Sequence, residues 1–350
     1  MKKGPVREWF DALIFAVIAA TIIRWATFEA FTIPTPSMER TLLVGDFLFV
    51  NKLNYGPRSP MTPLQIPLTH QKIWGTNIPS YLEWIKLPQL RLPGFSNIER
   101  DDVVVFNYPS ELDKPIDLKT YYVKRCVGLP GDTISIDNGI IYINNVEAVS
   151  PEDLQSRYFL RTNTTINDRV FKKYNIWEYN KVSSGYFINT KQENADAIGK
   201  ESFVDEVKIY RMDKSVSSTR IFPNRDKFPW NTDYFGPLLI PYKNLEIEIN
   251  DENLSKYGTV IKNFEKNKDV KIQDGKLLID NETISKYTFN QDYFFMMGDN
   301  RHNSEDSRFW GFVPYDHVLG EASFIWFSYD YKEKNPFKAI RWNRFFKVID

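Results

Sequence analysis

The sequence predicts a mainly β protein with one N-terminal membrane-spanning helix. Short apolar runs separated by turn signals are typical of strands, and they recur along most of the chain. One long apolar stretch lies near the N-terminus, and no long amphipathic helical pattern follows it. The chain has 350 residues, of which 42% are hydrophobic, enough for a sizeable core in one large or two smaller domains.

The composition argues against several classes of function. Lysine plus arginine (45) equals aspartate plus glutamate (45), so no excess of charge indicates nucleic-acid binding. Cys126 is the only cysteine, which excludes a disulfide within the chain. The three histidines, His70, His302 and His317, lack the spacing of zinc ligands, and no phosphate-binding glycine loop occurs. We therefore expect no metal and no cofactor.

The N-terminal apolar stretch has two interpretations. Residues 12–23 form an uncharged, mostly apolar run after Lys2, Lys3 and Arg7. At ~1.5 Å per residue this run covers only about 18 Å, whereas residues 9–33 would cross a ~30 Å hydrocarbon core. A cleaved signal peptide fits the same pattern, and hydropathy alone does not separate the two. Because no small-x-small cleavage site follows, we interpret residues 9–33 as an uncleaved transmembrane anchor.

Basic residues before the anchor predict the orientation of the chain. Loops rich in lysine and arginine stay on the cytoplasmic side, so we expect residues 1–8 inside the cell and the remainder outside. The segment from Pro57 to Pro93 is rich in proline, leucine and tryptophan but has little periodicity. It is predicted to be a long loop with exposed apolar side chains that rests on the membrane surface.

Several stretches predict the strands of a catalytic core at 34–148 and 270–350. "FLFVNKLNYG" indicates a strand that ends in a turn at Gly56, and "RDDVVVFNYP" indicates another. "TYYVKRCVGLPGDTISI" indicates two strands joined by a Pro-Gly-Asp turn. Asn138-Gly139 and Asp274-Gly275 occupy equivalent places in two similar segments, which predicts two hairpins.

The segment at 149–269 differs in composition from the rest of the chain. It is polar, rich in asparagine, lysine and tyrosine, and weakly periodic. It still contains Trp177, Trp230 and many tyrosines, too many aromatic residues for pure disorder. We predict an inserted, mostly β subdomain here.

The local sequence makes Ser37 a candidate nucleophile and Lys124 a candidate base. Ser37 lies in "PSMERTLLVGD", directly after the anchor; alone, a serine beside prolines is most often a turn or helix-cap residue. Lys124 is flanked by Val123, Cys126 and Val127. Burial among such residues lowers the pKa of a lysine, and neutral lysine is a competent base. A serine activated by a lysine is a known variant of the catalytic triad.

The histidines are weaker candidates for a base. His302 lies in a polar turn, where we expect exposure to solvent, and His317 follows Pro314-Tyr315-Asp316. The surrounding run "GDNRHNSEDSR" has a structural interpretation, an ion-pair network that holds a loop in place. Its charged members are Asp299, Arg301, Glu305, Asp306 and Arg308. Ser304 is the exception, because a serine hydroxyl beside a catalytic lysine can orient its amine.

Taken together, these stretches resemble the bacterial type I signal peptidases, membrane-anchored serine proteases with a Ser-Lys dyad. "IPTPSMERTLLVGD" is similar to the family's nucleophile segment and "RDDVVVF" to the strand that follows it. "KRCVGLPGD" is similar to the lysine segment, and "GDNRHNSEDSRFWGFVP" to the terminal one. The four segments occur in the family's order. Residues 149–269 show no counterpart that we can align by inspection.

The resemblance implies a role for each matching residue. Ser37 corresponds to the nucleophile and Lys124 to the general base. Thr35 lies where the family has a hydroxyl that completes the oxyanion hole with the N–H of the nucleophile, and Ser304 corresponds to the serine that orients the lysine. Asp306 and Arg308 correspond to a supporting salt bridge, and Asp299 to a further supporting residue.

The chain departs from the family's pattern at two positions. Pro36 stands where glycine is common, which stiffens the loop but keeps the Ser37 N–H. His302 stands where aspartate is common, which we interpret as a change at the surface.

The resemblance also implies substrate and location. We expect signal peptidase I activity (EC 3.4.21.89), in which exported preproteins are cut after a small-x-small motif at the outer surface of the bacterial inner membrane. The expected shallow apolar pockets are assigned to residues 31–50 and 121–129. The expected partners are preproteins and membrane lipid but not nucleic acid, and we expect a single-pass monomer.

Two other functions remain open from the sequence. A self-cleaving repressor also uses a Ser-Lys dyad, but it needs a DNA-binding domain for which the apolar N-terminus is too short. A membrane-tethered β domain that binds exported proteins would not require either Ser37 or Lys124. The presence of Ser37, Lys124 and Ser304 in matching segments favours the peptidase.

Overall fold

The computed structural model describes residues 4–223 and 226–349, and Lys2 and Lys3 of the basic N-terminus lie outside this part. Strands dominate the described residues, which confirms the predicted mainly β class. The helices are α1 (Pro5–Ala26), α2 (Asp168–Lys173), α3 (Gln192–Ile198), α4 (Asp251–Asn263), α5 (Ser307–Trp310) and α6 (Pro336–Ala339). Single 3₁₀ turns form at Pro36–Met38, Ile116–Leu118, Tyr315–His317 and Trp342–Arg344.

The strands are numbered in chain order, and the longest connection between two of them is the loop before β3. The first eleven are β1 (Phe28–Thr32), β2 (Asp46–Asn51), β3 (Val103–Asn107), β4 (Tyr121–Gly128), β5 (Thr133–Asp137), β6 (Ile140–Ile143), β7 (Val146–Glu147), β8 (Ser156–Arg161), β9 (Glu178–Val182), β10 (Gly185–Thr190) and β11 (Glu206–Ile209). The others are β12 (Phe235–Leu239), β13 (Glu246–Glu248), β14 (Val270–Gln273), β15 (Lys276–Ile279), β16 (Glu282–Ile284), β17 (Lys286–Thr288), β18 (Tyr293–Met297), β19 (Val313–Pro314), β20 (Val318–Ser328) and β21 (Lys347–Val348).

Helix α1 is long enough to cross a membrane. Its 22 residues span about 33 Å at ~1.5 Å per residue. The helix continues through Arg24, because a charged side chain does not interrupt the backbone hydrogen bonds of a helix. The helix ends at Ala26, however, and residues 28–32 form β1, which pairs antiparallel with β2. The last part of the predicted anchor at 9–33 therefore belongs to the sheet.

An eight-stranded antiparallel sheet carries the central residues. Its order is β1-β2-β20-β3-β4-β18-β19, with β21 added at β20. Strand β4 lies between β3 and β18, so that Lys124 faces Val104 and Arg125 faces Met297. Strand β18 ends at Met297, which is paired with Arg125. Gly298 and Asp299 therefore lie next to the middle of β4.

Both predicted hairpins are confirmed. Strands β5 and β6 are joined at Asn138-Gly139, and β14 and β15 at Asp274-Gly275. All four of these residues have positive φ, between 50° and 76°, as two-residue hairpin turns require.

The segment at 149–269 does not form one separate unit. Strands β11-β8-β10-β9 form a sheet of their own, whereas β12 pairs with β5 in the sheet β12-β5-β6-β7. The strand β13 pairs with β17. The part of the segment after residue 234 thus packs with the core, which differs from the boundary predicted at residue 269.

Helix α4 shows that the expectation of no further amphipathic helix was wrong. Its 13 residues bury Leu254, Tyr257, Val260 and Ile261 along one face, while its other face carries polar side chains. Asn250 caps its first turn, accepting a hydrogen bond from the Asn253 N–H. The buried positions repeat every three to four residues, but they include a tyrosine and a glycine and are separated by serine, lysine and threonine, which weakens the apolar signal.

Residues 57–93 form the predicted loop, since neither a helix nor a strand occurs between β2 and β3 among the described residues. Three isolated bridges join parts of the loop, for example between Gln65 and Tyr81. Large apolar side chains project from it, with Trp74 71% and Trp84 82% exposed. Contact of this loop with lipid stays a prediction.

Candidate active site

Ser37 and Lys124 lie together in the structure. The Nζ atom of Lys124 is 2.7 Å from Oγ of Ser37, and only 2% of Lys124 and 8% of Ser37 are exposed. Nζ also donates a hydrogen bond to the Val123 carbonyl at 2.9 Å. At such a distance the serine hydroxyl can pass its proton to a neutral amine. The pair has the geometry of a nucleophile and its base.

Asn300 holds the loop that carries Ser37 in place through two hydrogen bonds. The Asn300 N–H donates to the Ser37 carbonyl at 3.1 Å, and its Nδ2 donates to the Pro36 carbonyl at 3.2 Å. Met38 is fully buried, and its sulfur accepts the Asp299 N–H at 3.4 Å. The hydroxyl of Ser37 is therefore presented on a fixed 3₁₀ turn. The prolines of "IPTPSM" limit the conformations of the chain leading to it.

The environment of Lys124 favours the neutral amine. Burial lowers the pKa of Lys124 from 10.5 to about 8, although the carboxylates of Asp306 and Asp299 favour the charged form. The lysine has no direct ion-pair partner among the described residues. Near neutral pH a usable fraction of the amine is therefore unprotonated and able to accept a proton.

Asp299 fixes the start of the loop "GDNRHNSEDSR" to β4. Its carboxylate accepts two hydrogen bonds from the Arg125 guanidinium, at 2.9 and 2.8 Å, and one from the Thr41 hydroxyl at 2.6 Å. Asp299 is 0% exposed and Arg125 5%. This bidentate pair joins Asp299 to Arg125, the residue that follows Lys124 in β4.

Asp306 and Arg308 form a second buried pair that holds the same loop from its other end. The guanidinium donates from Nε and Nη2 to the two carboxylate oxygens, both at 2.8 Å. Burial opposes ionisation of Asp306, but Arg308 keeps the pKa of that carboxyl below its usual value. Asp306 also accepts the Gly298 N–H at 3.2 Å, which connects this pair to the backbone beside Ser37.

Gly298 is a site residue that the sequence did not single out. A Cβ atom at this position would lie 2.3 Å from Oγ of Ser304 and 2.5 Å from the carbonyl oxygen of Ser37. Only glycine therefore lets the two serine-bearing segments approach each other here. Ser304 is buried, and its hydroxyl acts on the Asp306 carboxylate, where it helps to keep the pKa of that group below its usual value. The structure brings Ser304 to the site but shows no bond from it to Lys124.

A cavity of about 300 Å³ opens beside the dyad, in the region where the substrate pockets were predicted. Its apolar walls are Phe31, Ile33, Leu48, Val105, Tyr121 and Val123. The sequence analysis missed the contribution of the loop at 57–93, from which His70 and Gln71 reach the cavity. Thr35 is exposed, two residues before Ser37.

The prediction that His302 is exposed was wrong. Only 6% of its side chain is accessible, and Nε2 lies 3.0 Å from Oδ1 of Asp233. Burial lowers the pKa of His302, against the opposite effect of Asp233. The backbone N–H of Arg157 donates to Nδ1 at 3.3 Å. Asp233, in the segment before β12, provides a buried hydrogen-bond partner for a histidine at this position.

An acidic pair close to Ser37 also escaped the sequence analysis. Glu178 of β9 accepts hydrogen bonds from Asn300 at 2.8 Å and Asn303 at 2.9 Å, so the smaller sheet supports the nucleophile loop. Glu39 lies two residues after Ser37 and is 9% exposed. Its burial, together with the charge of Glu178, raises the pKa of Glu39 from 4.5 to about 7.

A family model described as signal peptidase, peptidase S26, matches residues 6–209 and 238–327 of this chain. The chain belongs to this family. The match includes the dyad, the loop from Gly298 to Arg308 and the strands that carry them. It also corrects the expectation that residues 149–269 have no counterpart, because only 210–237 fall between the matched parts.

Full-length relatives in the signal peptidase family are similar over almost the whole chain. Signal peptidase I of Buchnera aphidicola from Acyrthosiphon pisum is 30% identical over 328 residues, which cover 93% of this chain and 77% of that protein. Signal peptidase I of Helicobacter pylori strain J99 is 28% identical, covering 98% and 91%. Signal peptidase I of Aquifex aeolicus is 25% identical, covering 96% and 92%.

Proposed function

We propose that this chain is a signal peptidase I, a serine endopeptidase that removes N-terminal signal peptides from exported preproteins. Membership of the peptidase S26 family and similarity to signal peptidases I over more than nine-tenths of the chain support this function. The structural observation that carries the mechanism is the 2.7 Å distance between Nζ of Lys124 and Oγ of Ser37 in a buried setting.

In the proposed first half-reaction, neutral Lys124 takes the proton of the Ser37 hydroxyl, and Oγ attacks the carbonyl carbon of the scissile peptide bond. The Ser37 N–H and the Thr35 hydroxyl stabilise the oxyanion of the tetrahedral intermediate. The ammonium of Lys124 then gives its proton to the leaving nitrogen as the C–N bond breaks. The mature protein departs with a free amine, and the signal peptide stays as an ester on Ser37.

In the second half-reaction, Lys124 takes a proton from a water molecule that attacks the ester. The acid product leaves and Ser37 regains its proton. We propose that Ser304 orients the Lys124 amine, while Asp299, Asp306 and Arg308 support the loop. No metal or cofactor takes part in this scheme.

The apolar cavity beside the dyad supports specificity for small residues near the cut. Its walls include Ile33 and Pro34, shortly before Ser37, and Val123, next to Lys124, and we propose that the acyl part of a substrate lies against them. Helix α1 supports a membrane anchor. We further propose location in the bacterial inner membrane, a cytoplasmic N-terminus, a catalytic domain on the outer face and action as a monomer.

The test is cleavage of a purified preprotein with a small-x-small site in detergent. We expect wild type to cut at that site and folded Ser37→Ala and Lys124→Ala to be inactive. Lys119→Ala is a matched control, since Lys119 is also buried and burial lowers its pKa to about 8, but its Nζ contacts His317 at 3.0 Å. Full activity in Lys124→Ala would exclude the dyad, and no cleavage by wild type would favour a tethered binding domain.

A further inference from the structure

A second, larger cavity lies between the end of the membrane helix and the dyad. It measures about 450 Å³ and is lined on one side by Thr21, Ile22 and Trp25 of α1. The opposite side comes from residues 59–70 of the long loop. The cavity is distinct from the 300 Å³ cavity beside Ser37, but His70 and Tyr121 line both.

The His70 and Tyr121 rings mark the junction between these two cavities. The rings are stacked, with centroids 4.5 Å apart and planes at 27°. Phe31, which lines the smaller cavity, packs edge-on against Tyr121 at 4.9 Å. A path bounded by aromatic side chains therefore leads from the end of the membrane helix to the dyad.

The charged groups of the larger cavity are satisfied within the protein. Glu29, 4% exposed, accepts a hydrogen bond from Arg24 at 2.6 Å and forms an ion pair with Lys52 at 2.7 Å. Arg58 donates to Asn107 at 2.7 Å and to the Asp316 carbonyl at 2.6 Å. Each of these groups therefore has hydrogen-bond partners within the protein and does not need a ligand to supply one.

Asp117, the remaining carboxylate, is also satisfied. It accepts backbone N–H groups from Met61 at 2.8 Å and Thr62 at 2.9 Å. The lining also includes apolar side chains that are partly open to solvent, notably Ile66 and Leu68, 46% and 37% exposed. The apolar part of the lining therefore favours a mainly apolar occupant.

We propose that the larger cavity binds the segment of the signal peptide that joins its membrane-embedded apolar core to the cleavage motif, an inference that rests on the proposed function. The apolar core of a signal peptide precedes the cut and lies in the membrane, as α1 does. The connecting segment must therefore travel from the level of the helix end to Ser37. The two adjoining cavities provide that path.

The strand geometry indicates which substrate residues reach the larger cavity. Tyr121 precedes Lys124 by three residues on β4, or about 10 Å at ~3.3 Å per residue. A substrate extended along this strand has its first three residues before the cut in the smaller cavity. The larger cavity then receives the side chains about four to seven residues before the cut.

The test uses a cavity-filling variant, Ile66→Trp, in the full-length enzyme. Two substrates are compared: a preprotein with its whole signal peptide, and a peptide that begins three residues before the cut. Filling the cavity should raise KM for the preprotein about tenfold, as expected for a steric change in an apolar subsite. Cleavage of the short peptide should change less than about twofold.

Ile78→Trp is the matched control, because Ile78 is 59% exposed on the same loop and lines neither cavity. It should cleave both substrates as wild type does. If Ile66→Trp cleaves the preprotein normally, or slows both substrates equally, the inference is overturned. If wild type cleaves neither substrate, the proposed function itself fails, which is a different result.

Photo-cross-linking gives a readout that does not depend on turnover. A benzophenone side chain at position 66 of Ser37→Ala, in phosphatidylglycerol–phosphatidylethanolamine vesicles, should attach to the preprotein four to seven residues before the cut. The same group at position 78 should not. Attachment to lipid alone would show a lipid site and overturn the inference.

Discussion

The Nζ atom of Lys124 lies 2.7 Å from Oγ of Ser37, although the two residues are 87 positions apart in the chain. The lysine belongs to a central strand and the serine to a 3₁₀ turn held by Asn300. The sheet thus holds the proposed base in place, and a loop brings the proposed nucleophile to it.

The first prediction concerns the pH dependence of cleavage. Burial lowers the pKa of Lys124 to about 8, and only the neutral amine accepts the serine proton. We expect kcat/KM for a short peptide to rise about tenfold per pH unit below that pKa and to level off above it. A profile measured from pH 5 to pH 10 that stays flat would contradict a lysine base.

The second prediction concerns the Thr35 hydroxyl. An oxyanion-hole donor contributes ~3–4 kcal/mol to transition-state stabilisation, so Thr35→Val should lower kcat by about two to three decades with little change in KM. Thr35→Ser keeps a hydroxyl and should retain most of the activity. Stopped assays of peptide cleavage with both variants test this, and equal kcat values in the two would remove Thr35 from the mechanism.

The third prediction concerns Gly298. Because a Cβ atom there would approach the Ser37 carbonyl oxygen to 2.5 Å, Gly298→Ala should push the nucleophile turn away from Lys124. Displacements of about 1 Å at a reacting group can cost on the order of 100-fold in rate. We expect kcat to fall by about that factor while thermal unfolding remains cooperative. A crystal structure of the variant with an unmoved Ser37 would disprove this account.

The fourth prediction concerns the buried acid Glu39. Burial, with the charge of Glu178, raises the pKa of Glu39 above its value in the unfolded chain, from 4.5 to about 7. The protonated form therefore stabilises the folded state at low pH, and this contribution is lost as pH rises toward 7. Glu39→Gln should be more stable than wild type at pH 8, by up to ~3 kcal/mol, and similar to it at pH 4.

Denaturant unfolding of wild type and Glu39→Gln at the two pH values measures this difference. Glu193→Gln is a suitable control, since the Glu193 side chain is 71% exposed and its removal should change stability little at either pH. Equal stabilities of wild type and Glu39→Gln at pH 8 would contradict the assignment.

The sequence predicted those parts of the site that lie in short contiguous segments. Ser37, Lys124 and the loop from Gly298 to Arg308 carry recognisable neighbours, and the hairpins at Gly139 and Gly275 follow from turn chemistry alone. Local patterns were sufficient because each of these features depends on a few adjacent residues.

Features that depend on distant partners could not be predicted in this way. The buried His302 side chain lies against Asp233, which is 69 residues away in the chain. The role of Gly298 depends on how closely Ser304 approaches the carbonyl of Ser37, which no local pattern records. His70 and Gln71 reach the cavity beside the dyad from a loop without periodicity, so nothing in their immediate neighbours indicated that position.

The short connection between α1 and Ser37 fixes the distance between the end of the helix and the serine. Residues 28–32 are locked to β2 by a full antiparallel register, so the height of the nucleophile above the helix end is set by the sheet and not by a flexible linker. Among several equally acceptable motifs in one preprotein, the one at the matching distance from the membrane would be cut. We therefore expect selection of the cleavage site to depend on length as well as on sequence.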